Sequence, residues 1–367
     1  MLAYIVVFAV SIASYAVGIR VRNKILFCFF LMITILLPAI LGGLRDPLVG
    51  KDFSGYGCVA WNSAVHSDSF YKYSTNSENV VVSLEIAYLA LNYIVSRFFS
   101  DFHVFFFVHQ FLLMSAVVFV ACKCRKYRMS EFVLLFYFFS FYNESFNYLK
   151  QSISLVAGLI AVLYLVEEKN KTSFCAFFAS CLAHRSAYFF VFIYVLKLLI
   201  EKYWKRKFVF FIFLVILFAV SFSSFTAIMN FLIANGLYSE HYSLYIDQIG
   251  FKTHKADIGF LMGVLLSLSF LVKKKDRNEK YFEFTFFVAV SSVLFHLFGS
   301  IVEIAARVAL YYELPLCILL LVSAKSPKNA QKMLLASSFC LILRWLYLSF
   351  VTGYDRTIPY SSQILGI

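Results

Sequence analysis

Five short clusters of charged and polar residues interrupt an otherwise apolar chain, and their residue types suit the handling of a phosphorylated ligand. The first runs Gly42-Gly43-Leu44-Arg45-Asp46-Pro47-Leu48-Val49-Gly50-Lys51-Asp52-Phe53-Ser54-Gly55-Tyr56. Its glycines and proline break a helix and let backbone N–H groups approach a ligand. Arg45 and Lys51 offer charge-assisted donors to phosphate, the arginine in fork geometry. Asp46 and Asp52 can orient those bases or exchange a proton. The second cluster, Asn143 to Ser152, puts Lys150 and Gln151 at the start of an apolar run, where a helix N-terminus already favours an anion. Ala183-His184-Arg185-Ser186 forms the tip of a predicted hairpin. Glu303 and Arg307, four apart, share a helix face. Tyr354-Asp355-Arg356 follows the last apolar run. A histidine titrates near neutral pH, so His184 is the first choice of base, with Asp52 and Glu303 behind it.

The elements that must position these groups are membrane helices. Of 367 residues, 62% are apolar, 20% are Phe, Trp or Tyr and only 14% are charged, with a mean hydropathy of +0.80. Soluble domains carry about 45–50% apolar and about 25% charged residues. A soluble enzyme, a disordered chain and a nucleic-acid-binding module are therefore excluded. Apolar runs approaching the ~20 residues of a bilayer span are expected at 2–19, 25–44, 79–99, 103–121, 130–142, 147–166, 172–183, 187–200, 208–230, 257–272, 281–301, 305–323 and 333–351. The runs 130–142 and 172–183 are short for a crossing and read as tight hairpins. The run 79–99 contains Glu85, Asn92 and Arg97 and reads as interfacial or re-entrant, the alternative being that 103–121 fails to cross.

The net charge of +13 is a topology signal. Six breaks (20–24, 122–128, 167–171, 197–207, 273–280 and 325–332) hold 22 Lys/Arg and 5 Asp/Glu, leaving 11 against 15 for the rest. The positive-inside rule puts these breaks in the cytoplasm and the five polar clusters outside. The expected architecture is all-α: a polytopic membrane bundle of about twelve spans with short re-entrant or interfacial helices and both termini outside. The chain reads as one domain, 1–367, with larger outer segments at 45–78, 231–257 and 352–367, and with the first run a retained span.

The remaining polar residues carry weaker signals. The segment 231–257, with Tyr242, Tyr245 and His254, has the composition of a sugar-contacting lid and equally of an interfacial aromatic belt. His66, His103, His109 and His296 are isolated in sequence and read as hydrogen-bonded structural histidines. The eight cysteines lie mostly in apolar runs, without a disulfide framework, and Cys122-Lys-Cys124 lacks a second ligand pair. No Walker A loop, GxGxxG, HExxH or GxSxG occurs. No metal and no cofactor are expected.

Taken in order, the clusters resemble the EpsG/Wzy group of polysaccharide polymerases over most of the chain. Gly43-Leu44-Arg45, Val49-Gly50-Lys51-Asp52 and Tyr56 resemble the family's GLR…vGtD…Y motif, with Lys51 in place of Thr. Lys150-Gln151-Ser152-Ile153 resembles its RQ segment, with Lys for Arg. Leu182-Ala183-His184-Arg185-Ser186-Ala187 resembles its FH-x-Sa segment, with Ala183 for Phe. Ala306-Arg307 to Tyr311-Tyr312 and Ile358-Pro359-Tyr360 resemble the late R…Y and PY elements.

The resemblance implies a GT-C-like bundle in the bacterial inner membrane. It implies transfer of an oligosaccharide chain from undecaprenyl diphosphate onto a new lipid-linked repeat at the periplasmic face, as in O-antigen synthesis. Such a step uses no nucleotide and could involve a chain-length regulator. It assigns Arg45, Lys51, Lys150, Arg185, Arg307 and Arg356 to the diphosphates. Tyr56, Gln151, Tyr242, Tyr245 and Tyr354 become substrate contacts. The alternatives are a lipid-linked oligosaccharide flippase, which should carry charges within its spans and internal repeats, and an O-antigen ligase, which differs in its acceptor.

Overall fold

The computed structural model describes residues 1–76, 84–127, 129–203, 254–300 and 303–367. Those residues form helices α1 (Leu2–Gly18), α2 (Lys24–Gly43), α3 (Cys58–His66), α4 (Phe70–Ser74), α5 (Ile86–Ser96), α6 (Phe102–Lys123), α7 (Glu131–Ser140), α8 (Glu144–Asn147), α9 (Leu149–Val166) and α10 (Asn170–Ala183). There follow α11 (Val191–Tyr203), α12 (Lys255–Leu271), α13 (Glu279–Gly299), α14 (Glu303–Glu313), α15 (Leu316–Val322), α16 (Pro327–Val351) and α17 (Gly353–Arg356). No β-strand occurs among the described residues. This is the all-helical chain that the apolar composition requires, since a helix satisfies its own backbone in lipid.

Six stretches among the described residues are long and apolar enough to cross a bilayer: α2, Phe102–Lys126, α9, α13, Ala305–Val322 and α16. Helices α1, α5 and α7 are apolar but shorter. The run expected at 79–99 yields only the 11-residue α5, about 17 Å long against a hydrocarbon core of about 30 Å. That length suits an interfacial or re-entrant piece. The next run makes a 25-residue stretch of full spanning length. The expected run 208–230 lies outside the described residues.

The described chain divides into two compact units, Met1–Ala187 with Leu341–Ile367, and Tyr188–Cys340. In the first, α1 packs on α2, α2 on α6 and α9 on α10. The α9–α10 hairpin is closed by serines. Ser154 Oγ donates to Ser180 O and Ser180 Oγ to Ser154 O, each at 2.8 Å, while Ser173 Oγ donates to Ala161 O at 2.7 Å. Small hydroxyl residues let membrane helices approach closely while meeting their own polar needs.

The C-terminal tail fastens the glycine-rich loop. Ser362 Oγ donates to Leu44 O at 2.5 Å, Asp46 N–H to Ser361 O at 3.1 Å, Gln363 N–H to Asp46 Oδ1 at 2.8 Å and Gly50 N–H to Arg356 O at 3.1 Å. Lower down, Tyr360 OH donates to Leu41 O, Tyr4 OH to Thr357 O and Tyr354 OH to Ser140 O. A loop with no ladder of its own thus has its backbone groups paired by a distant segment. In the second unit α13 packs on α12, α14 and α15. Gly299 makes the α13–α14 corner possible, because a Cβ there would stand 2.6 Å from Ala306 Cβ.

Gly50 is the tightest point of the loop. Its φ is +95°, and a Cβ would meet Phe146 O at 2.6 Å. Gly50→Ala is therefore expected to destabilise the detergent-purified protein by about 1–3 kcal/mol, read as a lower melting temperature; an unchanged melt would mean that the loop does not need this conformation.

Candidate active site

Three of the sequence clusters converge around a residue outside all of them, Glu85. It precedes α5 and has its side chain 8% exposed. Its Oε2 lies 3.0 Å from Lys150 Nζ, and its Oε1 lies 3.8 Å from His184 Nε2 and accepts from Arg185 N–H at 3.3 Å. One carboxylate therefore serves the start of α9 and the turn after α10. Burial alone would raise its pKa, but His184 and Lys150 outweigh burial and hold it below the ordinary glutamate value.

Asp52 joins the first cluster to the second. Its Oδ2 accepts from Tyr56 OH at 2.5 Å and from Leu149 N–H at 3.1 Å. The latter bond occupies one of the N–H groups that a helix start leaves without an intrahelical partner. Lys51 N–H donates to Asn147 Oδ1 at 2.9 Å, leaving the lysine side chain exposed at the surface of the unit. The π-helical turn Phe53–Gly57 then carries Tyr56 to a point where Lys150 Nζ stands 5.5 Å from its ring centre. Asp52, Tyr56, Lys150 and Glu85 thus follow one another in contact.

The His184 turn has a definite hydrogen-bond polarity. Ser186 N–H donates to His184 Nδ1 at 3.2 Å, and Ser186 Oγ lies 2.6 Å from the same nitrogen. The donated N–H assigns the proton of the neutral imidazole to Nε2, the atom facing Glu85. Arg185 is exposed, and among the described residues its guanidinium makes no ion pair.

The other expected site residues lie elsewhere. Arg45 is wholly buried between the rings of Phe106 and Phe146, whose centres are 3.9 and 4.1 Å from its guanidinium carbon. It donates from Nη1 to Gly42 O at 3.1 Å, while Nε and Nη2 have no hydrogen-bond partner among the described residues. Burial lowers its pKa to about 10, which leaves it charged at neutral pH. Two aromatic faces hold that charge, a contact worth ~2 kcal/mol or more when desolvated. Gln151 and Tyr354 are 2% exposed. Arg356 is exposed, with a φ of 68°, and its carbonyl holds Gly50.

Glu303 and Arg307 fall one turn apart on α14, as their spacing predicts, in the second unit. Tyr242 and Tyr245 lie outside the described residues. The structural reading of three histidines corresponds to their hydrogen bonds: His66 Nδ1 to Asn62 O, His103 Nδ1 to Gly43 O, and His109 Nε2 to Leu149 O and Ser152 Oγ. His296 Nε2 is hydrogen-bonded to Glu313, as that reading expects, and the ring also faces Asp257 and His254, which lie 39 and 42 positions away in sequence. Glu85 itself was legible only as a carboxylate within an apolar run, a placement that in membrane helices goes with function.

Membrane-length helices carrying a partly buried set of cations, carboxylates and a histidine define a multi-pass helical membrane protein with a polar site. The chain belongs to the EpsG family, whose model matches residues 28–362. This membership points to a polysaccharide-polymerase-like membrane protein. No curated protein and no solved structure matches the chain.

Because the folded-state pKa of Glu85 is depressed, the pairing contributes stability above the ordinary glutamate value of 4.5 and loses it as pH falls through the lower folded value. The melting temperature of the wild type should accordingly exceed that of Glu85→Gln at neutral pH, with the gap closing below pH 4.5. A pH-independent gap would show that Glu85 does not act through its charge.

Proposed function

We propose that the protein polymerises undecaprenyl-diphosphate-linked oligosaccharide repeats into O-antigen or a related surface polysaccharide at the periplasmic face of the inner membrane. The observation that carries this reading is the junction at Glu85, where Lys150 and the His184-Arg185 turn share one carboxylate beside the Asp52–Tyr56 pair. Cations next to a histidine–carboxylate pair are what transfer from a lipid diphosphate needs. The proposed architecture is a GT-C-like bundle of about twelve spans, in which the shorter apolar helices complete crossings.

In the proposed step an acceptor hydroxyl oxygen bonds to the anomeric carbon of the donor chain. The bond from that carbon to the diphosphate breaks, and the diphosphate leaves with the electron pair. Lys150 and Arg185 stabilise its growing charge, with Lys51 and Arg356 as further cations of the same unit for the lipid diphosphates. Lys150 passes from Glu85 to the phosphate as that charge develops.

The hydroxyl proton moves to His184, whose lone pair on Nδ1 meets Ser186. The hydroxyl of Ser186 relays the proton: it takes one and gives its own to Nδ1. Glu85, facing Nε2, stabilises the imidazolium, so Ser186, His184 and Glu85 act as a relay oriented by its carboxylate. Asp52 holds Tyr56 and the first turn of α9, which orients Lys150. Arg45 acts from beneath the loop as a buried positive support rather than through direct contact.

In a deletion strain complemented with variants, His184→Ala is expected to lower polymer output by about 10²–10⁴-fold, the usual worth of a general base. Lys150→Met should lower it by about 10²-fold or more through loss of charge stabilisation. The surface polysaccharide is read on a gel. Loss of polymer with a single repeat still attached to the lipid core supports a polymerase. A core without any repeat would indicate a ligase or flippase and overturn the proposal.

A further inference from the structure

The second unit contains a donor set that the charge clusters do not include. His254 stands immediately before α12, and Asp257 lies in that helix's first turn with its side chain 11% exposed. His254 Nδ1 is 3.2 Å from Asp257 Oδ2. Across from them His296, near the end of α13 and 2% exposed, has Nδ1 4.0 Å from the same Oδ2. One donor atom from each of the three residues lies within 4.8 Å of the others. The rings of the two histidines are 5.7 Å apart.

The decisive observation is on His296. Its Nε2 is 3.0 Å from Oε2 of Glu313, a fully buried carboxylate, while its Nδ1 has no hydrogen-bond partner among the described residues. An ionised carboxylate can only accept, so the bond to the Glu313 carboxylate places the imidazole proton on Nε2 and leaves the Nδ1 lone pair directed at Asp257. A metal-ligating histidine characteristically has its second nitrogen fixed by a carboxylate in this way. A histidine present only to pair with Glu313 would not need Nδ1 turned towards another carboxylate.

We infer that His254, Asp257 and His296 bind a divalent first-row transition metal ion, Zn²⁺ in the first instance, with Glu313 orienting His296. Two neutral imidazoles and one carboxylate are a borderline-soft N/O set suited to Zn²⁺, leaving a position for solvent. Metal–ligand bonds of about 2.0–2.2 Å in tetrahedral geometry put ligand atoms ~3.3–3.5 Å apart. The 3.2 Å pair already meets that spacing, the 4.0 Å pair needs a small closure, and the two histidine atoms, within 4.8 Å of each other, must close further as the ion draws them in. The ion ties the start of α12 to the end of α13 and, through Glu313, to α14. These are three successive helices, and a metal bond there would fix their ends to one another within the unit.

The test is metal loading of the full-length protein in detergent. After chelation and dialysis against Zn²⁺, elemental analysis of the wild type is expected to find one equivalent. Zn²⁺ should also raise its melting temperature. The Co²⁺ form should show the visible spectrum of a four-coordinate N/O site without a thiolate charge-transfer band, which separates the site from the eight free cysteines. His296→Ala and Asp257→Asn should lose the equivalent, and His66→Ala should retain it. Glu313→Gln should bind about 10–100-fold more weakly.

The wild-type melting and Co²⁺ readings stand even if a core variant fails to fold. Absence of a bound ion and of any Zn²⁺-dependent shift in the wild type would overturn the assignment. A thiolate spectrum, or loading unchanged in both His296→Ala and Asp257→Asn, would overturn it equally.

Discussion

Inside an apolar bundle a polar group without a partner has no water to fall back on, and that constraint orders most of what the structure contains. The loop between α2 and α3 is the clearest case. It has no regular ladder, yet the tail residues from Arg356 to Gln363 pair Leu44, Asp46 and Gly50, and Asn147 pairs Lys51. The serines between α9 and α10 answer the same need with reciprocal bonds. So does Asn143, which joins Trp345 Nε1 to Thr357 Oγ1 and links the last long helix to the tail.

The same constraint explains the carboxylates. Glu85 is buried enough to need compensation, and it obtains it from Lys150, His184 and a backbone N–H of the His184 turn. On the proposed reading this pairing also prepares catalysis. A lysine already neutralised by Glu85 does not repel the second cation beside it, and an anionic ligand arriving there takes over Lys150 while leaving Glu85 to the imidazole. Arg45 shows the complementary solution. With no carboxylate among the described residues near enough to pair, its guanidinium is held by two aromatic faces and one carbonyl.

Much of the fold was readable from apolar run lengths, because a spanning helix must be long, apolar and internally bonded. The runs at 25–44, 103–121, 147–166, 281–301, 305–323 and 333–351 each correspond to a stretch of spanning length. The polar clusters were equally visible, since charged residues stand out in such a chain. What each would touch was not. Arg45 and Lys51 are six positions apart in one motif, yet the first is sealed between Phe106 and Phe146 and the second is exposed, because Phe106 and Phe146 reach the loop from distant helices.

The sequence by itself therefore determined the class of molecule, the residue types of its polar chemistry and, through motif order, its family. Those depend on composition and local spacing, which survive without coordinates. Only the tertiary structure decided that Glu85 is the common partner of Lys150 and His184, and that His296 meets Asp257 and Glu313. The distances in sequence are 65 and 99 residues in the first case and 39 and 17 in the second. Helical periodicity relates residues only three or four positions apart. Contacts of that range are set by how apolar helices pack, which the pattern of any one helix does not encode.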